Sequence, residues 1–438
     1  MYVTGRLPAL VALGVVPVVL LGSAGIAPWA VAGVWLVLCA LATGVDAATA
    51  PDPRGLSVTR TGPTRTRLGE RVDTSLVVHN GGPRRLRGHL RDAWQPTAGA
   101  PEGRAALDVP AGERRTIPMP LRPRRRGELR SDFVVVRSGG PLGMAGRQAR
   151  LEAPGAVRVL PPFASRRHLP SRLARLRELD GNTSVQVRGQ GTEFDSLREY
   201  VRGDDVRSID WRATARAGTT MLRTWRPERD RHVVIIVDTG RTAAARVGDG
   251  VRLDAAMEAA LLLAALASRA GDHVHLAMFD RVLRARVTGI DGPALLPAMV
   301  DAMAPVEAQL IDTDWDAAFA QVRALTSRPS LVVLLTAQDS PESSRGFLGS
   351  LGAVARRAHV LVGTATDATP DAPAEPSGGR RTADDVYRAA AVQRSARDGA
   401  RVAAAIARAG GDALSASADD LPPQIADRYL ALKAAGRL

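Results

Sequence analysis

Cysteine and lysine are almost absent from this chain, and aromatic residues are scarce. The single cysteine, Cys39, lies inside an apolar run. That excludes a disulfide framework and a cysteine-rich zinc site, and it argues against a cysteine nucleophile. Lys433 is the one lysine among 59 basic residues, so the arginine, alanine and glycine richness reads as the codon usage of a GC-rich genome rather than as chemistry. Aromatics amount to 4 %, too few for the stacking platforms that hold single-stranded nucleic acid, and nucleic acid is not an expected partner. No glycine loop precedes a Lys-Ser/Thr pair, and Gly189-Gln190-Gly191 alone is no phosphate cradle. What is present is apolar mass: 438 residues that are 45 % hydrophobic, enough for about two to three modest domains.

No charged residue occurs from Leu7 to Val45, a run about twice the ~20 residues of one membrane-spanning helix. The stretch Gly22-Ser23-Ala24-Gly25-Ile26-Ala27-Pro28-Trp29 suits a tight turn, and its tryptophan suits a lipid interface. The expectation is a transmembrane helical hairpin over residues 1–50, since a signal peptide has only one short apolar block. Arg6 precedes it, and Arg54, Arg60, Arg65 and Arg67 follow. The positive-inside rule then places both ends, and the soluble bulk, in the cytoplasm at the inner membrane. Residues 51–180 hold 26 arginines and 12 acids, which is the entire net charge of +14; a basic surface beside a membrane is the simplest account.

Short β-rich runs between turn signals, such as Asp73-Thr74-Ser75-Leu76-Val77-Val78 and Phe133-Val134-Val135-Val136, predict a small basic β-sandwich over 51–165. From His232 the pattern changes to apolar strands alternating with alanine-rich helices. This predicts an α/β domain over 231–438, a parallel sheet flanked by helices. Its strands are expected at 232–238, 274–279, 281–287, 331–336 and 359–363, and a segment over 166–230 links the two blocks. His273-Val274-His275 is read as alternating across its strand, the two rings on opposite sides and unable to share a metal.

In an open sheet of this kind, ligands bind at the carboxyl ends of the strands. Asp238-Thr239-Gly240-Arg241-Thr242 lies there. It is similar to the loop by which von Willebrand factor A-type domains hold magnesium through hard oxygen ligands. Gly240 lacks the hydroxyl that the first serine of that pattern would supply. Thr313 or Asp312 stands in for the second-loop ligand, and Ala337 replaces the expected acid, with Asp339 two residues late. A degenerate metal rim of Asp238, Thr242, Thr313 and Asp339 is the expectation, with Mg2+ as its only candidate cofactor. In the bland alternative, Asp238 caps the following segment.

The densest stretch runs from Gly191-Thr192-Glu193-Phe194 through Leu197-Arg198-Glu199-Tyr200, Gly203-Asp204-Asp205-Val206-Arg207 and Ile209-Asp210-Trp211 to Arg216. It resembles, nearly position for position, the signature of the bacterial domain-of-unknown-function family fifty-eight. Leu222-Arg223-Thr224-Trp225 and the tail Asp427-Arg428-Tyr429-Leu430-Ala431-Leu432-Lys433 extend the likeness. The resemblance implies a membrane-anchored protein with a von Willebrand factor A-like domain. It also implies association with a MoxR-type AAA+ ATPase and with transglutaminase-like membrane proteins. From the residues themselves, Glu193, Asp204, Asp205 and Asp210 are spaced to form buried pairs with Arg198, Arg207 and Arg216. Trp211 and Tyr200 would anchor a helix or loop, so the segment is either a structural brace or a partner-docking surface. The leading expectation is a binding module, an adaptor or scaffold rather than an enzyme. The alternatives are a hydrolase using Asp204 and Asp205 as paired carboxylates, Ser165 and Ser208 having no identified base, and a purely structural membrane organiser.

Overall fold

The computed structural model describes residues 1–101, 104–186, 193–202, 204–226, 231–338, 340–367 and 383–438, without the side chains of 180–186, 193–196, 224–226, 385 and 388. It divides into two compact units, Met1–Leu160 and Pro161–Leu438.

The first unit opens with a two-residue strand, β1 (Tyr2–Val3), then α1 (Arg6–Leu13), α2 (Val15–Ser23) and α3 (Pro28–Thr49). Arg6–Ser23 and Pro28–Gly55 are each long and apolar enough to span a membrane. The first splits at Gly14 because Pro17 has no N–H for the Leu13 carbonyl and its ring clashes there. Trp35 fills the break, donating from Nε1 to the Leu10 carbonyl at 3.1 Å. A Cβ on Gly14 would collide with that indole. Gly25, at φ +90°, turns the chain into α3, which starts on Pro28.

The sandwich follows, with β2 (Leu56–Thr61), β3 (Arg65–Arg67), β4 (Val72–Asn80), β5 (Leu86–Asp92), β6 (Ala105–Val109), β7 (Arg114–Leu121), β8 (Gly127–Gly139) and β9 (Ala145–Leu160). One sheet runs β1-β9-β8-β5-β6, with β3 beside β9, and the other runs β2-β4-β7. Along β4 every second residue is buried. This period-two burial puts Leu76 and Val78 into a core with Leu86, Leu90, Val134 and Val136 from the facing sheet. Both ends of the helical segment are fastened to one corner of this sandwich. Tyr2 and Val3 pair with Gly146 and Ala145. At the far end of α3 the buried Asp46 accepts from the N–H groups of Leu142, Met144 and Ala145 at 2.7–2.8 Å.

In the second unit α4 (Leu169–Gln186) leads to a hairpin of β10 (Glu193–Glu199) and β11 (Met221–Arg226), with the short helix α5 (Trp211–Ala217) between them. The sheet is built from β12 (His232–Asp238), β15 (His273–Phe279), β16 (Leu283–Val287), β17 (Pro329–Leu335), β18 (His359–Ala365) and β19 (Asp412–Ala416). β13 (Arg246–Val247) and β14 (Gly250–Val251) form a separate two-stranded ladder. The order is β16-β15-β12-β17-β18-β19, parallel except for β16. The helices are α6 (Arg252–Arg269), α7 (Leu295–Met303), α8 (Trp315–Leu325), α9 (Arg345–Ala355), α10 (Ala383–Arg408) and α11 (Leu421–Ala434). Val234 and Ile236 of β12 face a core supplied by Phe319 and Val322 of α8, Phe347 and Leu351 of α9, and Val402 and Ile406 of α10. On the other face α6 is buried nearly all round, and its alanines let the sheet and α11 approach closely. β12 is therefore covered on both sides, which is why its sequence is one unbroken β-branched run.

Candidate functional site: a hydroxyl-held rim

Three strands of the parallel sheet end in polar residues that converge. β12 ends in the buried Asp238, β15 is followed by the buried Asp280, and β17 by the buried Thr336. Asp238 is the hub. Its Oδ1 accepts from the Gly240 N–H at 2.8 Å and the Thr313 hydroxyl at 2.5 Å. Its Oδ2 accepts from the Thr336 hydroxyl at 2.6 Å and the Thr242 hydroxyl at 3.2 Å. A carboxylate has about four acceptor positions, and all four are taken. Gly240 matters here because a Cβ would run into the Thr313 hydroxyl and the Ile311 carbonyl. The departure from a serine at this position lets Thr313 reach the acid.

The four predicted metal-rim residues thus divide. Asp238, Thr242 and Thr313 come together, and Asp339 lies outside the described residues. Asp312, weighed for the second loop, instead pairs with Arg241 at 2.9 Å on the surface. A magnesium ion asks for six oxygens in an octahedron. The described rim brings one carboxylate and three hydroxyls already aimed at it, and among the described residues no group of three or more His, Cys, Asp or Glu could hold a metal. In this structure Asp238 and the hydroxyls of Thr242, Thr313 and Thr336 hydrogen-bond to one another.

Sequence reasoning missed Thr336, Thr239 and Asp280. The Thr239 hydroxyl donates to Asp280 Oδ2 at 2.9 Å, and the Arg284 fork grips both Asp280 oxygens at 2.7 and 3.1 Å. Burial alone would raise Asp280, but the Arg284 guanidinium, the Val282 and Arg281 N–H groups and the Thr239 hydroxyl together hold it below the usual carboxylate range. The signal was available, since Phe279-Asp280 repeats the strand-then-acid pattern of Val237-Asp238.

The rim also fixes an apolar knob. The Gln309 N–H donates to the Thr239 carbonyl and the Arg241 N–H to the Ile311 carbonyl, both at 2.7 Å. Between these two ties Leu310 stands 80 % exposed.

The signature segment is arranged only in part as its spacing predicted. Arg198 meets Asp204 at 2.6 Å, and Asp210 pairs with Arg223 at 2.8 Å. Both pairs are partly exposed, not buried. Asp205 is a cap, accepting the Arg207 N–H at 3.0 Å, and Asp210 caps α5 through the Arg212 and Ala213 N–H groups. Asp204 also takes the Val201 N–H at 3.0 Å, so Asp204 and Asp205 each hold the loop through a different backbone N–H. Arg207 and Arg216 are exposed. Trp211 is 70 % exposed among the described residues, while Tyr200 is half-buried. Gly203 and the side chains of Glu193 and Phe194 lie outside the described residues.

At the opposite end of the sheet the histidine reading is corrected. Residues two apart on a strand share a face, and the rings of His273 and His275 both stack on His232 with centroids 5.2 Å away. His232 Nδ1 lies 2.9 Å from His275 Nε2, and His275 Nδ1 lies 2.7 Å from the Thr288 hydroxyl. Burial, then the neighbouring His232 and His273, lower the pKa of His275 to about 4.

A family model described as a protein of unknown function, DUF58, matches residues 196–405. The match supports the DUF58 family. The matched segment begins inside β10, takes in the signature turn and the described rim residues, and ends inside α10. A search of curated proteins finds no match. Among solved structures, a CARDB domain from Pyrococcus furiosus is 14 % identical, covering 26 % of this chain and 91 % of that chain at a TM-score of 0.19. A FixG-related protein from Vibrio parahaemolyticus is 11 % identical, covering 23 % and 96 % at a TM-score of 0.17. Likenesses of that size carry no argument about fold or function.

Proposed function

We propose that this chain is a membrane-anchored adaptor whose α/β unit is von Willebrand factor A-like, and that it works with a MoxR-type AAA+ ATPase through its rim. The observation that carries the reading is Leu310, an exposed apolar side chain pinned at both flanks to the loop that follows Asp238. An apolar side chain on a backbone already held at both flanks costs little further backbone entropy when a partner covers it, which suits an interface anchor. Asp238, with its acceptors filled by hydroxyls and an N–H, acts as the brace that keeps the loops in place. The docking is therefore metal-independent.

Two helices long and apolar enough to span a membrane support the anchoring, and so does the attachment of both their ends to one corner of the sandwich. The arginines flanking the hairpin support a cytoplasmic location for the soluble units. A transglutaminase-like membrane protein is the second partner that family resemblance suggests. The test uses detergent-extracted full-length protein, treated with chelator and immobilised, and a purified MoxR-type ATPase kept free of nucleotide. The reading predicts equal capture before and after chelation. Capture that returns only when magnesium is restored to the adaptor contradicts it.

A further inference from the structure

The signature turn repeats a five-residue unit. Val201-Arg202-Gly203-Asp204-Asp205 is followed by Val206-Arg207-Ser208-Ile209-Asp210 and then Trp211-Arg212, each copy beginning with an apolar residue and an arginine, the two complete copies closing on an acid. The structure gives the two acids one job. Asp205 accepts the Arg207 N–H at 3.0 Å and Asp210 the Arg212 N–H at 2.9 Å, so each caps a helical turn whose first residue is the apolar one. The apolar side chain is thereby turned outward both times: Val206 is 61 % exposed and Trp211 70 %, and Val201 of the first copy matches them. Arg202, Arg207 and Arg212 are exposed as well, and none makes an ion pair with another described residue. Arg198 and Arg223, by contrast, are used to hold the turn together.

We infer that this turn is a membrane-contact surface, which sets Trp211, Val206 and Val201 at the headgroup level of an anionic bilayer and pairs Arg202, Arg207 and Arg212 with lipid phosphates. Indole rings favour the bilayer interface, guanidinium matches phosphate geometry, and basic residues near an anionic leaflet are attracted to it. An acidic protein segment would satisfy the charges too. Lipid is favoured because the chain carries two helices long and apolar enough to span a bilayer, so anchoring would join the turn to a chain that already holds a lipid surface. The inference therefore rests on the membrane-anchored reading.

The test is full-length protein in nanodiscs, with Cys39→Ala and Ala215→Cys carrying an environment-sensitive NBD probe. Ala215 is exposed and lies one turn from Trp211 on α5. In phosphatidylglycerol/phosphatidylcholine discs the emission is expected to shift to the blue and brighten severalfold, and to remain aqueous in phosphatidylcholine discs. High salt, or Arg207→Gln with Arg212→Gln and Trp211→Ser, is expected to remove the change. Equal emission in both lipids overturns the proposal. So does a blue shift that grows with protein concentration in detergent, which would mean a second copy, or one that requires an added acidic protein. Co-elution of chain and lipid reports the anchoring separately. If the chain does not co-elute, the anchoring reading fails, and added vesicles of the two compositions test the turn by the same emission.

Discussion

Asp238 shows at the scale of one residue why a pattern for metal binding is ambiguous. The acid and two of its hydroxyl partners, Thr242 and Thr313, were legible in the sequence because strand-ending acids on parallel sheets face a common rim. Their orientation was not, because whether a threonine oxygen ligates an ion or donates its proton to an acid depends on a fraction of an ångström. Asp238→Asn keeps the shape but replaces one acceptor oxygen by a donor facing hydroxyls that must then turn away. About 1–3 kcal/mol should be lost, read as a lower unfolding midpoint that added magnesium does not restore. The histidine error is instructive in another way: the period-two rule was applied backwards to His273 and His275, and the stacking partner His232 is 41 residues distant in sequence.

His275 makes a pH prediction. Its folded value of about 4 lies below the ordinary 6.5, so the unfolded chain takes up a proton that the folded chain refuses. The contribution is fully present above pH 6.5 and is lost as pH falls toward 4, by about 3 kcal/mol at 1.36 kcal/mol per pH unit. Denaturant midpoints between pH 7 and 4 should fall less steeply for His275→Gln than for the parent.

Among elements, those with one unbroken or strictly alternating apolar pattern were readable. β12 and β4 stand where expected, and α6 is one of the expected alanine-rich helices, because burial on both faces, on one face, or all round each leaves its own signature. β5, with the sequence Leu-Arg-Gly-His-Leu-Arg-Asp, and the edge strand β19 were missed because pairing with neighbours, not their own composition, makes them strands.

The C-terminal tail of α11 explains itself only in three dimensions. Asp427 meets Arg172 at 2.6 Å and Arg428 meets Asp412 at 2.5 Å. The Tyr429 hydroxyl and Lys433 both engage the buried Asp272 that precedes β15. Burial raises Asp272, against the opposing pull of Lys433 and Tyr429. The chain's one lysine is thus part of a buried bolt. Lys433→Met leaves that acid with Arg231 as its remaining positive neighbour, and a loss of about 3 kcal/mol is expected in thermal or denaturant unfolding. Lys433→Arg should recover part of it. At the signature turn the exposed Trp211 separates the two readings of that segment: Trp211→Ser should leave the melting temperature unchanged, whereas Asp210→Ala, which removes a cap and the Arg223 partner, should lower it.

For the whole molecule, the apolar hairpin was the most legible feature. The fastening of both its ends to the 142–146 corner was not, since Asp46 looks in sequence like the first charged residue after a membrane span rather than the acceptor for three backbone N–H groups. Asp46→Leu should leave membrane insertion intact while lowering the melting temperature of the sandwich, and flotation with vesicles alongside calorimetry would separate the two. The proposed partner rests on family resemblance alone, and the rim is the surface proposed to meet it. The central claim is that this surface docks an ATPase through Leu310. The direct measurement is the equilibrium affinity of a purified MoxR-type ATPase for full-length parent and Leu310→Asp protein. The account predicts saturable binding to the parent and at least a tenfold weakening, about 1.4 kcal/mol, in a variant of unchanged melting temperature. Equal affinity for the two proteins, or no binding to the parent, would contradict it.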